Sequence, residues 1–129
     1  MSSVGRLFVG LAAVSLLAAT ALGAYASHGM RAAPAETVDA VRTAVAFQFH
    51  HGLALLAVAL LEERLAPRWV AAAGWLFVAG TLFFCGGIYL SRLLGFGPAG
   101  AVAPLGGTAF MAGWAALAAA AVISRRRAS

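Results

Sequence analysis

Charged residues are scarce in this chain. They account for 10% of its 129 residues, whereas 63% of the residues are hydrophobic. A soluble domain usually contains about 25% charged residues, because polar side chains must cover its core. The composition therefore excludes a soluble globular domain and indicates an integral membrane protein.

Acidic residues and cysteine are rarer still. Two of the four acidic residues, Glu36 and Asp39, precede the apolar stretch 44–61, and the other two, Glu62 and Glu63, follow it, so no carboxylate is placed to relay protons across a membrane. Cys85 is the single cysteine and cannot form a disulfide within the chain. A phosphate-binding glycine loop and a nucleophile elbow are both missing. We therefore expect no enzymatic activity, and we expect no cofactor or metal ion.

Four long apolar runs take up most of the sequence. A bilayer core of about 30 Å is crossed by roughly 20 apolar helical residues, and the sequence predicts helices over residues 7–27, 35–61, 69–92 and 104–124. The predicted fold is an all-α membrane protein, a single domain over residues 1–129 that forms a four-transmembrane-helix bundle. An alternative for the first run is a cleaved secretory signal, because Arg6 precedes it and small residues end it.

Every basic residue is an arginine, and the arginines lie at the ends of the apolar runs or between them. If the chain crosses the membrane four times, six arginines lie on the same side as the termini, namely Arg6, Arg64, Arg68, Arg125, Arg126 and Arg127. Three lie on the other side, namely Arg31, Arg42 and Arg92. Cytoplasmic segments carry the excess of basic residues. We therefore predict a multi-pass protein of the bacterial inner membrane with both termini in the cytoplasm. The lipid bilayer is its expected partner, and nucleic acid is not.

Small residues recur at intervals of four on the first and last predicted helices, at Ser15, Ala19, Gly23 and Ser27 and at Ala112, Ala116, Ala120 and Ser124. Such residues let membrane helices approach one another closely. Trp114 lies about ten residues into the last helix, which is too deep for an interfacial tryptophan. We expect a compact bundle in which Trp114 packs between helices or lines a pocket.

The few polar side chains within or beside the predicted spans gather toward the outer leaflet. The candidate cluster consists of Tyr25, His28, Gln48, His51, Tyr89 and Arg92. Gln48 and His51 are three residues apart and share a helix face, whereas His50 is turned by about 100°. We expect His28, Gln48 and His51 to meet inside the bundle. Such a cluster is a candidate functional site, and the alternative is a hydrogen bond that merely joins two helices.

Three functions are compatible with these features. The first is an integral inner-membrane protein of unknown activity. Such a protein is an accessory subunit of a larger membrane complex, forms a homo-oligomer, or binds a lipid or another small apolar ligand. The second is an oligomeric minimal transporter or channel, which requires a polar path through both leaflets. The third is a metal or haem redox protein ligated by His28 and His51, for which no further Cys, Asp or Glu completes a ligand set.

Four sequence blocks, GAYASHGM, FQFHHGLALL, FCGGIYLSRLLG and APLGGTAFMAGWAALA, resemble domain-of-unknown-function family 423, the YgdD-like small inner-membrane proteins. A more distant similarity is to transmembrane protein 256. The resemblance covers essentially the whole chain and implies about four membrane helices with no established activity. The family pattern falls on Gly23, His28, Gly29, Gln48, His51, Leu53, Leu55, Gly86, Tyr89, Pro104, Leu105, Gly106, Gly107, Gly113 and Trp114. The family pattern favours His28 and His51, and not His50, as functional residues. Four residues of this chain differ from the family pattern, namely Phe47, Gly52, Cys85 and Gly87.

Overall fold

The computed structural model describes residues 1–128 of the chain, with side chains as far as Arg125. It contains five α-helices, namely α1 (Ser3–His28), α2 (Ala35–Leu61), α3 (Pro67–Gly80), α4 (Gly86–Arg92) and α5 (Ala103–Ala128). A π-helix over Thr81–Cys85 joins α3 to α4, and a 3₁₀-helix over Gly97–Val102 leads into α5. No strand occurs within the described residues. The all-α fold class is therefore confirmed.

Four helical segments are long and apolar enough to cross a membrane. They are Ser3–His28, Ala35–Leu61, Pro67–Arg92 and Gly97–Arg125. The prediction of four such segments is confirmed, and the chain has the features of a multi-pass helical membrane protein. The first segment begins earlier than predicted because Ser2 caps it: the Ser2 hydroxyl accepts a hydrogen bond of 2.9 Å from the backbone N–H of Gly5. Such a cap satisfies one of the free N–H groups at a helix start.

The N-terminus and the last turns of α5 lie at the same end of the bundle as the connection between α2 and α3. The terminal ammonium of Met1 is 3.5 Å from the Glu63 carboxylate, and the Ser2 hydroxyl donates to the carboxylate of Glu62. On α5, the Ser124 Oγ accepts a hydrogen bond of 2.7 Å from the backbone N–H of Ala66. We call this the terminal end of the bundle, and the opposite end the loop end.

The helices pack in the order α1, α2, α3, α5. α1 contacts mainly α2, and α5 contacts mainly α3, whereas α1 makes little contact with α3. Small residues lie where the helices meet. A Cβ added at Gly74 of α3 would lie 2.5 Å from the Phe8 ring, and one at Gly113 of α5 would lie 2.6 Å from the Phe77 ring. Each of these rings therefore packs on a glycine of another helix, and small residues of this kind let membrane helices approach closely.

The predicted stripes of small residues are only partly buried. Ala19 on α1 and Ala116 and Ala120 on α5 are buried in helix contacts, but Ser27 and Ala112 are exposed. The half of the bundle near the terminal end has an apolar interior, with Phe8, Val58, Val70 and Phe77 at most 1% exposed. These side chains belong to one hydrophobic core cluster.

The π-helix differs from the uninterrupted helix that the sequence predicts for the third span. π-turns of this kind occur where one extra residue is inserted into a helix, frequently at functional sites. Gly106 of α5 lies against it so closely that a Cβ there would meet the backbone of Phe84. Residue 106 must therefore be glycine for α5 to approach the π-helix.

Candidate functional site

Gln48 is the middle residue of the 27-residue helix α2, and it is only 6% exposed. Its amide Nε2 donates to the carbonyl oxygen of Ser15, at 3.0 Å, and contacts the Ser15 Oγ at 3.3 Å. The Tyr89 hydroxyl donates to Gln48 Oε1 over 2.7 Å. The three side chains form what we call the Gln48 network, which joins α1, α2 and α4.

The orientation of the Gln48 amide follows from chemistry. The backbone carbonyl of Ser15 has no proton to donate, so the amide atom that faces it must be the NH₂ group. Oε1 then faces Tyr89, whose hydroxyl must be the donor. Every polar atom of the Gln48 side chain thus has a partner, which is the usual condition for burying an amide away from water.

His51 makes two hydrogen bonds, one as the donor and one as the acceptor. Its Nδ1 lies 2.7 Å from the carbonyl oxygen of Phe47, and its Nε2 lies 3.0 Å from the indole Nε1 of Trp114. A carbonyl accepts only and an indole N–H donates only. The ring is therefore the neutral tautomer with its proton on Nδ1, because Nε2 must keep its lone pair for Trp114.

Aromatic rings surround His51 on the side of α5. The His51 ring stacks on Phe110 with a centroid distance of 3.6 Å and an interplanar angle of 14°. The rings of Phe77 and Trp114 have their centroids 5.4 and 5.8 Å from that of His51. Because both ring nitrogens are hydrogen-bonded, His51 has no nitrogen free to ligate a metal. Within the part of the chain that the structure describes, no group of three or more His, Cys, Asp and Glu residues could hold one.

The expectation that His28 meets Gln48 and His51 is wrong. His28 is the last residue of α1 and is exposed. It is thirteen residues from Ser15, the α1 partner of Gln48, which corresponds to about 20 Å along the helix axis. The alternative of a metal or haem held jointly by His28 and His51 fails for the same reason.

The six predicted site residues thus fall into two groups. Gln48 and Tyr89 are joined by a hydrogen bond inside the bundle, and His51 lies one turn from Gln48 on α2, near the middle of the bundle and not near one end. The remaining three lie at the loop end and are exposed, namely Tyr25, His28 and Arg92. Arg92 is 3.6 Å from the Glu36 carboxylate. His50 is exposed and turned away from His51's partners, as its position on the helix predicts.

A groove of about 250 Å³ lies beside the Gln48 network. Its floor is formed by Gln48, His51, Gly52 and Leu55 of α2. The residues that form its walls are Leu11, Val14, Ser15 and Ala18 of α1 and Val78, Thr81 and Leu82 of α3 and the π-helix. It exists because α1 and α3 both pack on α2 but make little contact with each other. The groove therefore opens sideways, between two helices, on the surface that would face lipid.

Residues 22–107 of the chain match a protein family that is described as "Protein of unknown function (DUF423)". The chain belongs to the DUF423 family. This confirms the resemblance seen in the four sequence blocks. No curated protein and no solved structure matches the chain.

The family match of this DUF423 protein includes only part of the site. Gln48, His51 and Tyr89 lie within residues 22–107, whereas Ser15 and Trp114 lie outside them. The sequence singled out Ser15 only as a small residue, and nothing near it in sequence marks it as the partner of Gln48. Trp114 did give a signal, because its depth in the last helix is unusual for an interfacial tryptophan.

Proposed function

We propose that this DUF423 protein is a multi-pass protein of the bacterial inner membrane that binds one small apolar ligand in the groove beside Gln48. The groove itself is the observation that carries the proposal. It opens sideways at mid-height of a four-span bundle, so its contents come from the bilayer and not from water. Polar groups at its floor distinguish it from a simple gap between apolar helices, and most small-molecule sites combine an apolar lining with a few placed polar groups.

The proposed role is binding and not catalysis. Gln48 and His51 are both engaged in hydrogen bonds with their neighbours. A catalytic group needs an atom free to reach its substrate, and the amide and imidazole at this floor have none. These two side chains instead give the groove a fixed shape.

A transporter or channel has less support. Transport requires a polar path that reaches both ends of the bundle, and Phe8, Val58, Val70 and Phe77 fill the half near the terminal end. The same apolar filling supports a ligand that enters from the side and stays at mid-height.

The proposed orientation places the terminal end in the cytoplasm. That end holds Arg6, Arg64, Arg68 and Arg125, against Arg31, Arg42 and Arg92 at the loop end, and Arg126 and Arg127 add to it in sequence. Reporter fusions at both termini and in the connection between α1 and α2 test the orientation. We expect cytoplasmic reporter activity at the termini and periplasmic activity at the connection; reporters on opposite faces for the two termini would contradict four spans.

Ligand binding is tested by purifying the protein in mild detergent and quantifying the small molecules that co-purify per mole of protein. Ala18→Phe places a ring in the groove, since Ala18 lines it. Ala13→Phe is the matched control, because Ala13 is exposed on the same helix and does not line the groove. We expect one compound to be retained by the wild type and A13F and lost from A18F. Identical contents in all three proteins would contradict the proposal.

A further inference from the structure

The hydroxyl of Ser15 differs from the other hydroxyls of the helices. Most of them donate to a backbone carbonyl one turn earlier, as Thr20, Thr43, Thr81, Thr108 and Ser124 do. Such bonds remove the hydroxyl proton from contact with anything outside the helix. Ser15 makes no bond of this kind and lines the groove.

The proton of the Ser15 hydroxyl has no acceptor among the described residues. Among the described residues, Ser15 Oγ makes one hydrogen-bond contact, with Gln48 Nε2 at 3.3 Å. The amide NH₂ is a donor only, so Ser15 Oγ is the acceptor in that contact and its own proton stays available. The carbonyl of Ser15 holds the amide in this orientation, so rotation of the amide cannot supply an acceptor.

A free hydroxyl donor at mid-height of a bilayer has no water to bond. The unmet hydrogen bond is costly in an apolar medium, and a ligand that supplies an acceptor regains it. We infer that the groove selects a small apolar compound that carries a carbonyl oxygen and that the Ser15 hydroxyl donates to this oxygen. This inference rests on the proposed function and adds the chemical class of the ligand.

The size of the groove favours a small compound over a protein segment. Its α1 wall, residues 11–18, rises by about 10 Å, whereas a membrane helix is itself about 10 Å wide and spans about 30 Å. The volume of about 250 Å³ is just below the roughly 300–1,000 Å³ that is usual for small-molecule pockets. A ring compound or a short length of a longer chain fits this space, and a helix does not.

Two probes of similar shape distinguish binding through apolar contacts alone from binding that also uses a hydrogen bond to a carbonyl oxygen. They are 2,3-dimethyl-1,4-naphthoquinone, which has two carbonyl oxygens, and 2,3-dimethylnaphthalene, which has none. Binding is measured as saturable retention by the full chain in phosphatidylcholine nanodiscs, above retention by empty discs. Each probe is compared between wild type and variant, so its partition into lipid cancels.

Ser15→Ala removes the donor and leaves the bond from Gln48 Nε2 to the backbone carbonyl of residue 15. We expect S15A to weaken binding of the quinone about 3- to 10-fold, the range for one neutral hydrogen bond, and to leave binding of the hydrocarbon unchanged. Thr20→Val is the control: Thr20 lies on the same helix and its hydroxyl donates to the Leu16 carbonyl, but it does not line the groove. We expect T20V to change neither probe, and an equal loss in T20V would overturn the assignment of Ser15.

The outcomes separate the inference from the proposed function. If both probes bind saturably and S15A changes neither, the groove binds apolar compounds without using Ser15, and only the inference is wrong. If neither probe is retained above empty discs by the wild type, the inference and the proposed function are both contradicted. Thermal unfolding of each variant in the same discs shows whether a loss of binding comes from a loss of folded protein.

Discussion

Replacing His51 by alanine is expected to destabilise the bundle, whereas the same change at the neighbouring His50 is not. The His51 ring stacks on Phe110 with a centroid distance of 3.6 Å, and aromatic pairs of this kind contribute about 0.5–1.5 kcal/mol. Loss of the acceptor for the indole N–H of Trp114 adds about 1 kcal/mol. The space left beside Phe77 adds about 1 kcal/mol more.

The sum for His51→Ala is a loss of about 2–4 kcal/mol in the free energy of unfolding. His51→Phe separates the contributions, since a phenyl ring keeps the stacking and the volume but removes both hydrogen bonds; we expect it to cost about 1 kcal/mol. His50→Ala and His28→Ala are the controls, because both side chains are exposed, and each should lie within about 0.5 kcal/mol of the wild type.

These values are measured by reversible unfolding with sodium dodecyl sulfate in mixed micelles, followed by circular dichroism. A result in which H51A unfolds with the wild-type free energy would refute the placement of His51 between α2 and α5. So would a result in which H50A costs as much as H51A, because that would place the other face of α2 in the bundle.

Two further changes test the contacts around the site. Gly106→Ala should lower the free energy of unfolding by more than about 2 kcal/mol, because its Cβ would meet the Phe84 backbone. Gly10→Ala is the control and should be neutral, because Gly10 has open space around it. Equal stability of the two variants in the same unfolding assay would contradict the close approach of α5 to the π-helix. Tyr89→Phe should cost about 1–2 kcal/mol, since it leaves Gln48 Oε1 without its donor, and wild-type stability would show that the Gln48 network is not formed.

The helical spans could be predicted from the sequence because their signal is local. Each apolar run is long enough to cross a bilayer and is followed by arginine, proline or glycine, and only helices satisfy all backbone groups in such segments. The shared face of Gln48 and His51 is equally local, since a spacing of three residues fixes it. Both side chains are buried in the structure.

The partners across helices could not be predicted in this way. The bond between Gln48 and Ser15 joins residues 33 positions apart, and its existence depends on how far α1 is shifted along α2. The expectation for His28 was wrong because it also depended on this shift between α1 and α2. His28 is at the end of α1, whereas Gln48 and His51 lie near the middle of α2. The π-helix gave no signal either, because its five residues, TLFFC, have the composition of an ordinary membrane helix.

Photolabelling is a direct test of the proposed ligand site in the groove beside Gln48. The protein in nanodiscs is irradiated with a fatty acid that carries a diazirine in its chain, and the labelled residues are mapped by mass spectrometry. We expect saturable labelling of the residues that line the two walls, namely Leu11, Val14, Ser15, Ala18, Val78, Thr81 and Leu82, and we expect this labelling to be lost in A18F but not in A13F. Labelling spread evenly over all lipid-facing helices, and unchanged in A18F, would contradict the proposed site.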